Sequence, residues 1–397
     1  MLRKLYPVIF FLNIVLFLIN INHTLVMLMC LVNIFFLVSF LSKCKKNDLT
    51  YLKWLGCFAL FCLLSCLWAL NSRVALWVII QQQIPIYTLC VSMFVYVKDW
   101  KDLYKCLRGY YFASIILLIY VILNVDLMTL AGSRLTDAND EQLWNPNYLG
   151  LYLALGIYAG FFSVFKEKDK YFLDVLVYLI AIIGMIAVIF LSGSRAALIS
   201  LVSPLIVKVF ISNKNILKST LIISVILVIC YSLIMYVPVL YLNIGIRIEE
   251  LFNILSGEGV GDDSRMVLIS SGLKWFQDAP ILGIGINNFR ILSGARLHYV
   301  TAFYAHNNYV ELLVDIGIIG FAVYYISYIF LLSRFKVLDK EKKSWALGFL
   351  VMLLFSDMFH VSYYEVSMQI LLCILYIIIR IERLNYINYR KSTYEKN

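Results

Sequence analysis

The sequence contains little charge, few histidines and no closely spaced cysteine pair, and each shortage excludes a class of protein. Only 15% of the 397 residues are charged, far from the balance of a soluble domain. The four histidines form no His-Glu-x-x-His motif, and the nine cysteines form no Cys-x-x-Cys pair. The sequence therefore indicates no metal site and no disulfide framework.

Nucleotide-binding and serine-hydrolase signatures are also missing. Neither a Gly-x-Ser-x-Gly elbow nor a GxxxxGK[ST] loop occurs. The segment GIGINNF at 283–289 contains a Gly-x-Gly, but it follows no predicted strand, so we reject a dinucleotide fingerprint. We expect no cofactor.

Apolar residues make up 62% of the chain. A bilayer span needs about 20 of them in a row, and such runs recur throughout. The first run is followed at once by another and by no cleavage site, so we interpret it as a span rather than a signal peptide. The fold class is therefore an all-α polytopic membrane protein, with residues 1–397 forming one integral membrane domain. About twelve spans are predicted, near 5–21, 24–41, 51–70, 74–97, 107–125, 147–165, 171–191, 196–211, 217–239, 307–332, 345–360 and 365–381.

The basic residues predict how these spans are oriented. With Arg3 and Lys4 placed in the cytoplasm, about 26 of the 34 Lys and Arg residues fall on the cytoplasmic side, which is the positive-inside pattern. Both termini are then cytoplasmic, and the longest loop, 240–305, lies outside between the ninth and tenth spans. The net charge of +10 is thus mostly an orientation signal, and we expect no nucleic-acid partner.

Arginine dominates the basic residues that remain outside. Its planar guanidinium group fits phosphate or carboxylate in a bidentate manner, so this enrichment indicates an anionic ligand. Some of these arginines can equally pair with local acids such as Glu249 and Asp263 in ordinary loops. The outer basic residues are Arg73, Arg134, Arg195, Arg247, Arg265, Lys274, Arg290 and Arg296.

Two outer connections are long, residues 126–146 and residues 240–305. At the end of the first, Asn145 before Pro146 is typical of a helix cap with proline at the first helical position. The second, 240–305, has helical spacing on both sides of GEGVGDD at 257–263, with Arg265 in the first turn of the second helix. Its amphipathic helices suit the membrane surface. The loop is too small for an independent catalytic domain, so we expect it to form the active site together with the spans.

The segment LSGSRAALIS at 191–200 places Arg195 within a long apolar region. A charge there is costly unless it is paired or hydrated, so such residues are functional candidates. The alternative is a short outer turn whose arginine reaches the lipid headgroups.

The segment YAHNNYVELLVDIGIIG at 304–320 begins the tenth span with polar residues. His306 lies at the predicted helix N-terminus, where unpaired amides favour anions and disfavour an imidazolium ring. We therefore expect a neutral histidine that can accept a proton, with a capping or interfacial histidine as the alternative. Asn307, Glu311 and Asp315 share one helix face, which must point into the protein or into a hydrated cavity.

Three segments follow one another along the chain. They are LSGSRAAL at 191–198, DSRMVLISSGLKWFQDAPILGIGINNF at 263–289, and AHNNYVELLVDIGIIG at 305–320. In their order, spacing and sidedness they resemble the O-antigen ligase and O-antigen polymerase superfamily of bacterial membrane proteins. The resemblance covers about residues 140–325, and the twelve-span layout agrees over the rest.

The resemblance implies a metal-independent membrane glycosyltransferase. Such enzymes transfer a glycan from an undecaprenyl-pyrophosphate carrier to an acceptor hydroxyl, at the outer face of the bacterial cytoplasmic membrane. Arg195 and Arg265 match the arginines thought to hold the pyrophosphate, and His306 matches the histidine proposed to act on the acceptor. Arginines can stabilise the charge of the departing carrier, and a neutral His306 can take the proton of the acceptor hydroxyl.

Further residues are expected to contribute to this site. If His306 only positions substrate, then Glu258, Asp262, Asp263 and Glu311 are substitute base candidates. The expected substrate-binding residues are Arg134, Arg247, Arg290, Asn307 and Glu311.

The acceptor is left open. A polymerase joins the growing chain to another carrier-linked repeat unit, whereas a ligase transfers the finished chain to lipid A–core. The Lys-, Asn-, Ile- and Tyr-rich composition is typical of an AT-rich genome and favours polymerisation of surface polysaccharide (O-antigen or capsule), with membrane lipid and a chain-length regulator protein as further partners. A polysaccharide flippase or another twelve-span transporter is the rival class, but the chain shows no repeat at half-length.

Overall fold

The computed structural model describes residues 2–19, 23–41, 49–124, 145–165, 172–213, 215–256, 264–297 and 303–394. Over these residues the chain forms helices and no strands. The first ten α-helices are α1 (Leu2–Ile19), α2 (His23–Leu41), α3 (Thr50–Ser65), α4 (Ser72–Val78), α5 (Ile84–Tyr96), α6 (Trp100–Asn124), α7 (Pro146–Phe165), α8 (Phe172–Leu191), α9 (Arg195–Ser212) and α10 (Ile216–Tyr236).

Seven more α-helices follow. Short π-helical or 3₁₀ segments adjoin some of the seventeen helices. The π-helical segment Ile79–Gln83 connects α4 to α5, a second one, Tyr241–Gly245, precedes α12, and the 3₁₀ turn Phe335–Val337 follows α15. The remaining helices are α11 (Pro238–Leu240), α12 (Ile246–Leu255), α13 (Ser264–Phe276), α14 (Phe289–Arg296), α15 (Asn308–Arg334), α16 (Lys340–Ser356) and α17 (Val366–Tyr394).

Each predicted span overlaps one or more helices. Within the described ranges, eight helical segments are long and apolar enough to cross a membrane, and two shorter apolar helices accompany them. Large apolar side chains such as Leu221 and Val228 on α10 are exposed, as expected for a surface in contact with lipid. The all-helical, polytopic membrane class is thereby confirmed, while the number of twelve crossings and their orientation stay predictions.

Charged side chains from several helices meet at one end of the bundle. Arg3 on α1 forms an ion pair with Asp102 on α6. Lys342 on α16 forms an ion pair with Glu382 on α17, with 3.1 Å between nitrogen and oxygen. We call this the basic end.

The opposite end, here called the loop end, is built from the connections between helices. The backbone N–H of Asn71 donates to the side-chain oxygen of Asn288 at 2.7 Å. The backbone N–H of Asn308, at the start of α15, donates to the carbonyl of Asp357 at 2.7 Å. The connections before α4 and α14 are therefore joined to each other, and so are those before α15 and α17. A hydrogen bond from Arg290 on α14 to Tyr364 before α17 joins the two pairs.

Helix α15 is broken at Gly317, and the loop before α14 packs into the break. Gly317 has φ 63° and ψ −173°, a conformation reserved for glycine. A Cβ atom there would lie 2.3 Å from the carbonyl oxygen of Ile281. In the preceding turn, the N–H of Ile284 donates to the carbonyl of Val314 at 3.1 Å, so loop and helix share backbone hydrogen bonds.

Asp315 fastens this loop from inside α15. Its carboxylate accepts the backbone N–H of Asn287 at 2.6 Å and that of Phe289 at 2.7 Å. The Asp315 side chain is fully buried, so the predicted inward-facing side of the helix is confirmed at this position. The segment GIGINNF at 283–289 is thus the loop that packs against α15 at the loop end. This packing explains its glycines, so no bound nucleotide is needed to explain them.

Candidate functional site

Tyr304 lies at the centre of the polar residues of the loop end. Its ring centroid is 4.0 Å from that of His306 and 5.4 Å from the guanidinium carbon of Arg290. The side-chain amide of Asn145 donates to its hydroxyl at 3.0 Å. Segments far apart in sequence therefore converge on a tyrosine that the sequence analysis did not select.

Arg265 adds a second positive charge to this cluster. Burial raises the pKa of Tyr304, while the hydrogen bond from Asn145 and the charges of Arg290 and Arg265 oppose that rise. Arg265 lies in the first turn of α13, as predicted, and is half-buried. The charges of two predicted outer arginines, Arg265 and Arg290, thus both act to lower the pKa of Tyr304.

Arg290 is oriented by its neighbours. Its guanidinium group donates to the hydroxyl of Tyr364 at 2.9 Å. Burial works against its charge, but the pKa of Arg290 is raised, because Tyr364 and Glu311 favour the charged form. Its Nε–H meets no hydrogen-bond partner among the described residues. Arg290 is therefore a fixed cation with donor capacity left for an anionic ligand.

Glu311 sets the conformation of the turn that carries His306. Its buried carboxylate accepts the backbone N–H of Ala305 at 2.6 Å. His306, the next residue, has φ 51°, which lies in the left-handed region and costs about 1–3 kcal/mol in such a residue. Strain of this kind persists only where the surroundings impose it, and it is concentrated at functional sites.

The two asparagines after His306 hold the local fold. Asn307 caps α15, because its side-chain oxygen accepts the N–H of Val310 at 3.1 Å. Asn308 donates to the hydroxyl of Tyr325 at 2.9 Å and accepts the N–H of Ser362 at 3.0 Å. The position of His306 just before the helix start is therefore confirmed, while substrate binding by Asn307 stays a prediction.

Arg195 is exposed at the first residue of α9. The hydroxyl of Ser194 caps α9 and donates to the side chain of Asn147 at 2.5 Å. Asn147 in turn donates its N–H to the side chain of Asn145 at 3.0 Å, which confirms the predicted Asn145 cap. Because Asn145 also bonds Tyr304, the start of α7 links Arg195 to the Tyr304 cluster.

His360 and Tyr148 also belong to the loop end, and the sequence analysis did not select them. Their ring centroids are 4.9 Å apart, and Nδ1 of His360 lies 3.2 Å from the carbonyl oxygen of Ser356. The charge of Arg265 acts on His360 as well. No local pattern marks either residue, since both lie in largely apolar surroundings in the sequence.

Several predicted residues lie outside the described part of the chain. This holds for Arg134, Glu258, Asp262 and Asp263, and for the side chain of Arg247 on α12. Their roles stay predictions. Where the structure is described, no group of three or more His, Cys, Asp or Glu side chains is arranged to hold a metal ion.

Chemically, the cluster offers two guanidinium groups and an imidazole around one half-buried aromatic ring. Guanidinium groups bind phosphate oxygens in a bidentate manner, and they interact more strongly where water is scarce. An imidazole beside them can receive a proton from a hydroxyl group. This combination suits the displacement of a phosphate leaving group by an alcohol.

Comparison with known proteins agrees with this chemistry. Residues 180–325 match the model of the O-antigen ligase family. The matched segment contains Arg195, Arg265, Arg290, His306 and Glu311. The resemblance to the O-antigen ligase and polymerase superfamily is thereby confirmed. A search of curated proteins gave no match.

Proposed function

We propose, on the premise that residues 180–325 match the O-antigen ligase family, that this protein transfers a glycan from an undecaprenyl-pyrophosphate carrier to a sugar hydroxyl. The family match supports glycan transfer of the O-antigen ligase or polymerase type, with a lipid-linked glycan and an acceptor as substrates. The apolar helices and the match together support a multi-pass protein of a bacterial inner membrane.

One observation carries this proposal, namely the convergence of Arg265, Arg290 and His306 on Tyr304. A pyrophosphate diester carries about two negative charges, and the departing carrier gains another. Each charge-assisted hydrogen bond from an arginine contributes about 1.5–3 kcal/mol. The two arginines can therefore stabilise this charge directly.

The proposed reaction is a single displacement at the anomeric carbon. The acceptor oxygen forms a bond to that carbon, and the bond between the carbon and the pyrophosphate oxygen breaks. The proton of the acceptor hydroxyl passes to His306, and undecaprenyl pyrophosphate leaves with the bonding electrons. Arg265, Arg290 and Arg195 hold the leaving group, while Glu311 holds the turn that carries His306.

The charge pattern supports an outward-facing site. Since the basic end holds the residues assigned to the cytoplasm, we assign the loop end to the outer face. Loop 240–305 then forms part of the site together with the spans, within one integral membrane domain. A chain-length regulator protein would act on the growing glycan from this same face.

We favour polymerisation of surface polysaccharide repeat units over ligation to lipid A–core. The test is reconstitution of the purified protein in proteoliposomes with a carrier-linked repeat unit, either alone or with lipid A–core. A polymerase gives a ladder of lengthened carrier-linked products, whereas a ligase gives transfer to lipid A–core only. Activity should persist with a metal chelator. Absence of transfer in both reactions, with folded protein, would contradict the proposal.

A further inference from the structure

A cavity of about 360 Å³ adjoins the Tyr304 cluster at the loop end. Arg290, Tyr304 and Asn145 form the side of the cavity that faces the proposed reaction. The mechanism above leaves the rest of the wall unused. Six of its polar residues are Gln81, Gln82, Tyr148, Tyr152, Tyr364 and Glu365.

The two glutamines reach this wall from an irregular part of the fourth predicted span. The π-helical segment Ile79–Gln83 interrupts the helix there, and such single π-helical turns are frequent at functional sites. Adjacent amides inside an apolar helix are costly unless they are bonded or hydrated. Gln83 is buried, and neither its side-chain nitrogen nor Oε1 of Gln82 has a hydrogen-bond partner within the described ranges.

The carboxylate of Glu365 lies on the same wall of the cavity. Glu365 accepts the backbone N–H groups of Ser367 at 3.0 Å and Met368 at 2.7 Å, which fixes it at the start of α17. Tyr152 lines the same wall. A carboxylate has about four acceptor positions, so Glu365 keeps the capacity to accept from a ligand hydroxyl.

These groups suit a sugar ring. Each sugar hydroxyl donates and accepts, as does each glutamine amide, and tyrosine rings provide apolar faces with a polar edge. The volume falls at the lower end of the range for small-molecule sites, about 300–1,000 Å³, which is enough for one or two sugar rings. Apart from Arg290 and His23, the polar groups of the lining are amides, hydroxyls and a carboxylate, rather than the cations that a pyrophosphate alone would call for.

The origin of the wall within the chain also matters. Its glutamines, Tyr148, Tyr152 and Glu365 all lie outside the matched segment 180–325, whereas the proposed reacting residues lie inside it. The proposed recognition wall and the proposed reacting centre therefore come from different parts of the chain.

We infer that the cavity is a glycan subsite, in which Gln81 and Gln82 together with Tyr152 and Glu365 recognise a sugar ring next to the pyrophosphate held by Arg290. This inference rests on the proposed function and assigns the part of the substrate that the wall selects. The sugar belongs either to the carrier-linked donor or to the acceptor glycan.

The test uses the full-length protein in nanodiscs and three probes, which are the undecaprenyl-pyrophosphate oligosaccharide, undecaprenyl pyrophosphate without sugar, and the carrier-free oligosaccharide. The double variant Gln81→Met/Gln82→Met keeps the side-chain volume and suits an apolar span. It should bind a glycosylated probe about tenfold more weakly, because two hydrogen bonds are lost, and should bind the bare carrier as the wild type does. Loss for the first probe assigns the subsite to the donor, and loss for the third assigns it to the acceptor.

Control variants separate this inference from the proposed function. Gln277→Met changes an exposed glutamine of the connection after α13 and should leave binding of all three probes unchanged. Tyr152→Phe is a second test if the double variant does not fold, and it should show the same selective loss. Equal weakening for the bare carrier, or no weakening for any probe, would overturn the glycan subsite. Wild-type protein that binds none of the probes would instead contradict the proposed function.

Discussion

The imidazole of His306 lies against the phenol ring of Tyr304, with the ring centroids 4.0 Å apart. His306 belongs to a strained turn, so the tilted ring of Tyr304, 39° from the imidazole plane, supplies a contact that keeps the imidazole in place. Tyr304 is itself held by Asn145 and covered by Arg290. The proposed base and the proposed anion site therefore share one support, and disturbing Tyr304 should affect both.

Substitution of Tyr304 separates its ring from its hydroxyl. Tyr304→Phe keeps the ring contacts with His306 and Arg290 but loses the hydrogen bond from Asn145. We expect a loss of transfer of about tenfold or less, since one neutral hydrogen bond contributes about 1 kcal/mol. Tyr304→Ala removes the support of both groups and should lower the rate by more than about a hundredfold. Equal rates for the two variants, measured in proteoliposomes, would refute the positioning role.

The arginines should be required as guanidinium groups. We expect Arg195→Ala, Arg265→Ala and Arg290→Ala to abolish detectable transfer while expression stays normal, and we expect lysine to rescue none of them, because it lacks the bidentate fork. Arg296→Ala is the matched control, since Arg296 forms an exposed ion pair with Asp278 at 2.8 Å. Full activity in any of the three variants would remove that arginine from the site.

His306 can be tested without disturbing its backbone. Asparagine tolerates the left-handed conformation that His306 adopts, so His306→Asn should fold normally and bind the carrier-linked donor. A positioned general base contributes about 10²–10⁴ in rate, and we expect a loss of that size in single-turnover transfer. A rate close to that of the wild type would show that His306 is not the base, and Glu311 would be tested next.

The break in α15 should be essential for stability. In Gly317→Ala the added methyl group meets the carbonyl oxygen of Ile281 at 2.3 Å, in a backbone conformation that alanine disfavours. We expect the free energy of unfolding to fall by at least about 1–3 kcal/mol, seen as a lower thermal midpoint in detergent. Gly56→Ala is the control, because nothing lies within 4 Å of a Cβ atom there. An unchanged midpoint for Gly317→Ala would contradict the described docking of the loop.

Helices were the part of this fold that the sequence predicted best. Long apolar runs and the N-terminal signals at Asn145, Arg265 and His306 are local properties of the chain, so hydropathy and capping patterns locate them. The break at Gly317 depends on a loop held by Asp315, and no local pattern reports such a contact. The glycines of GIGINNF were visible in the sequence, but their docking partner was not.

The site was predicted in part. Arg265 and Arg290 could be selected because arginine dominates the outer basic residues, and His306 because it precedes a predicted helix. Glu311 could be selected because charge within an apolar span is unusual. Tyr304 and Tyr148 could not, since tyrosine is common in this chain. His360 could not either, because, like them, it acquires its role only through tertiary contacts. A stronger signal was overlooked in the three consecutive glutamines at 81–83, which are polar residues inside a predicted span.

In the proposed mechanism, arginines beside His306 bind the carrier headgroup at the loop end. The most direct test is an experimental structure of the protein with bound undecaprenyl-pyrophosphate oligosaccharide in a nanodisc. We predict that the two phosphates contact Arg265 and Arg290, with the anomeric carbon facing His306. A headgroup bound at the basic end, near Arg3 and Lys342, would contradict the account.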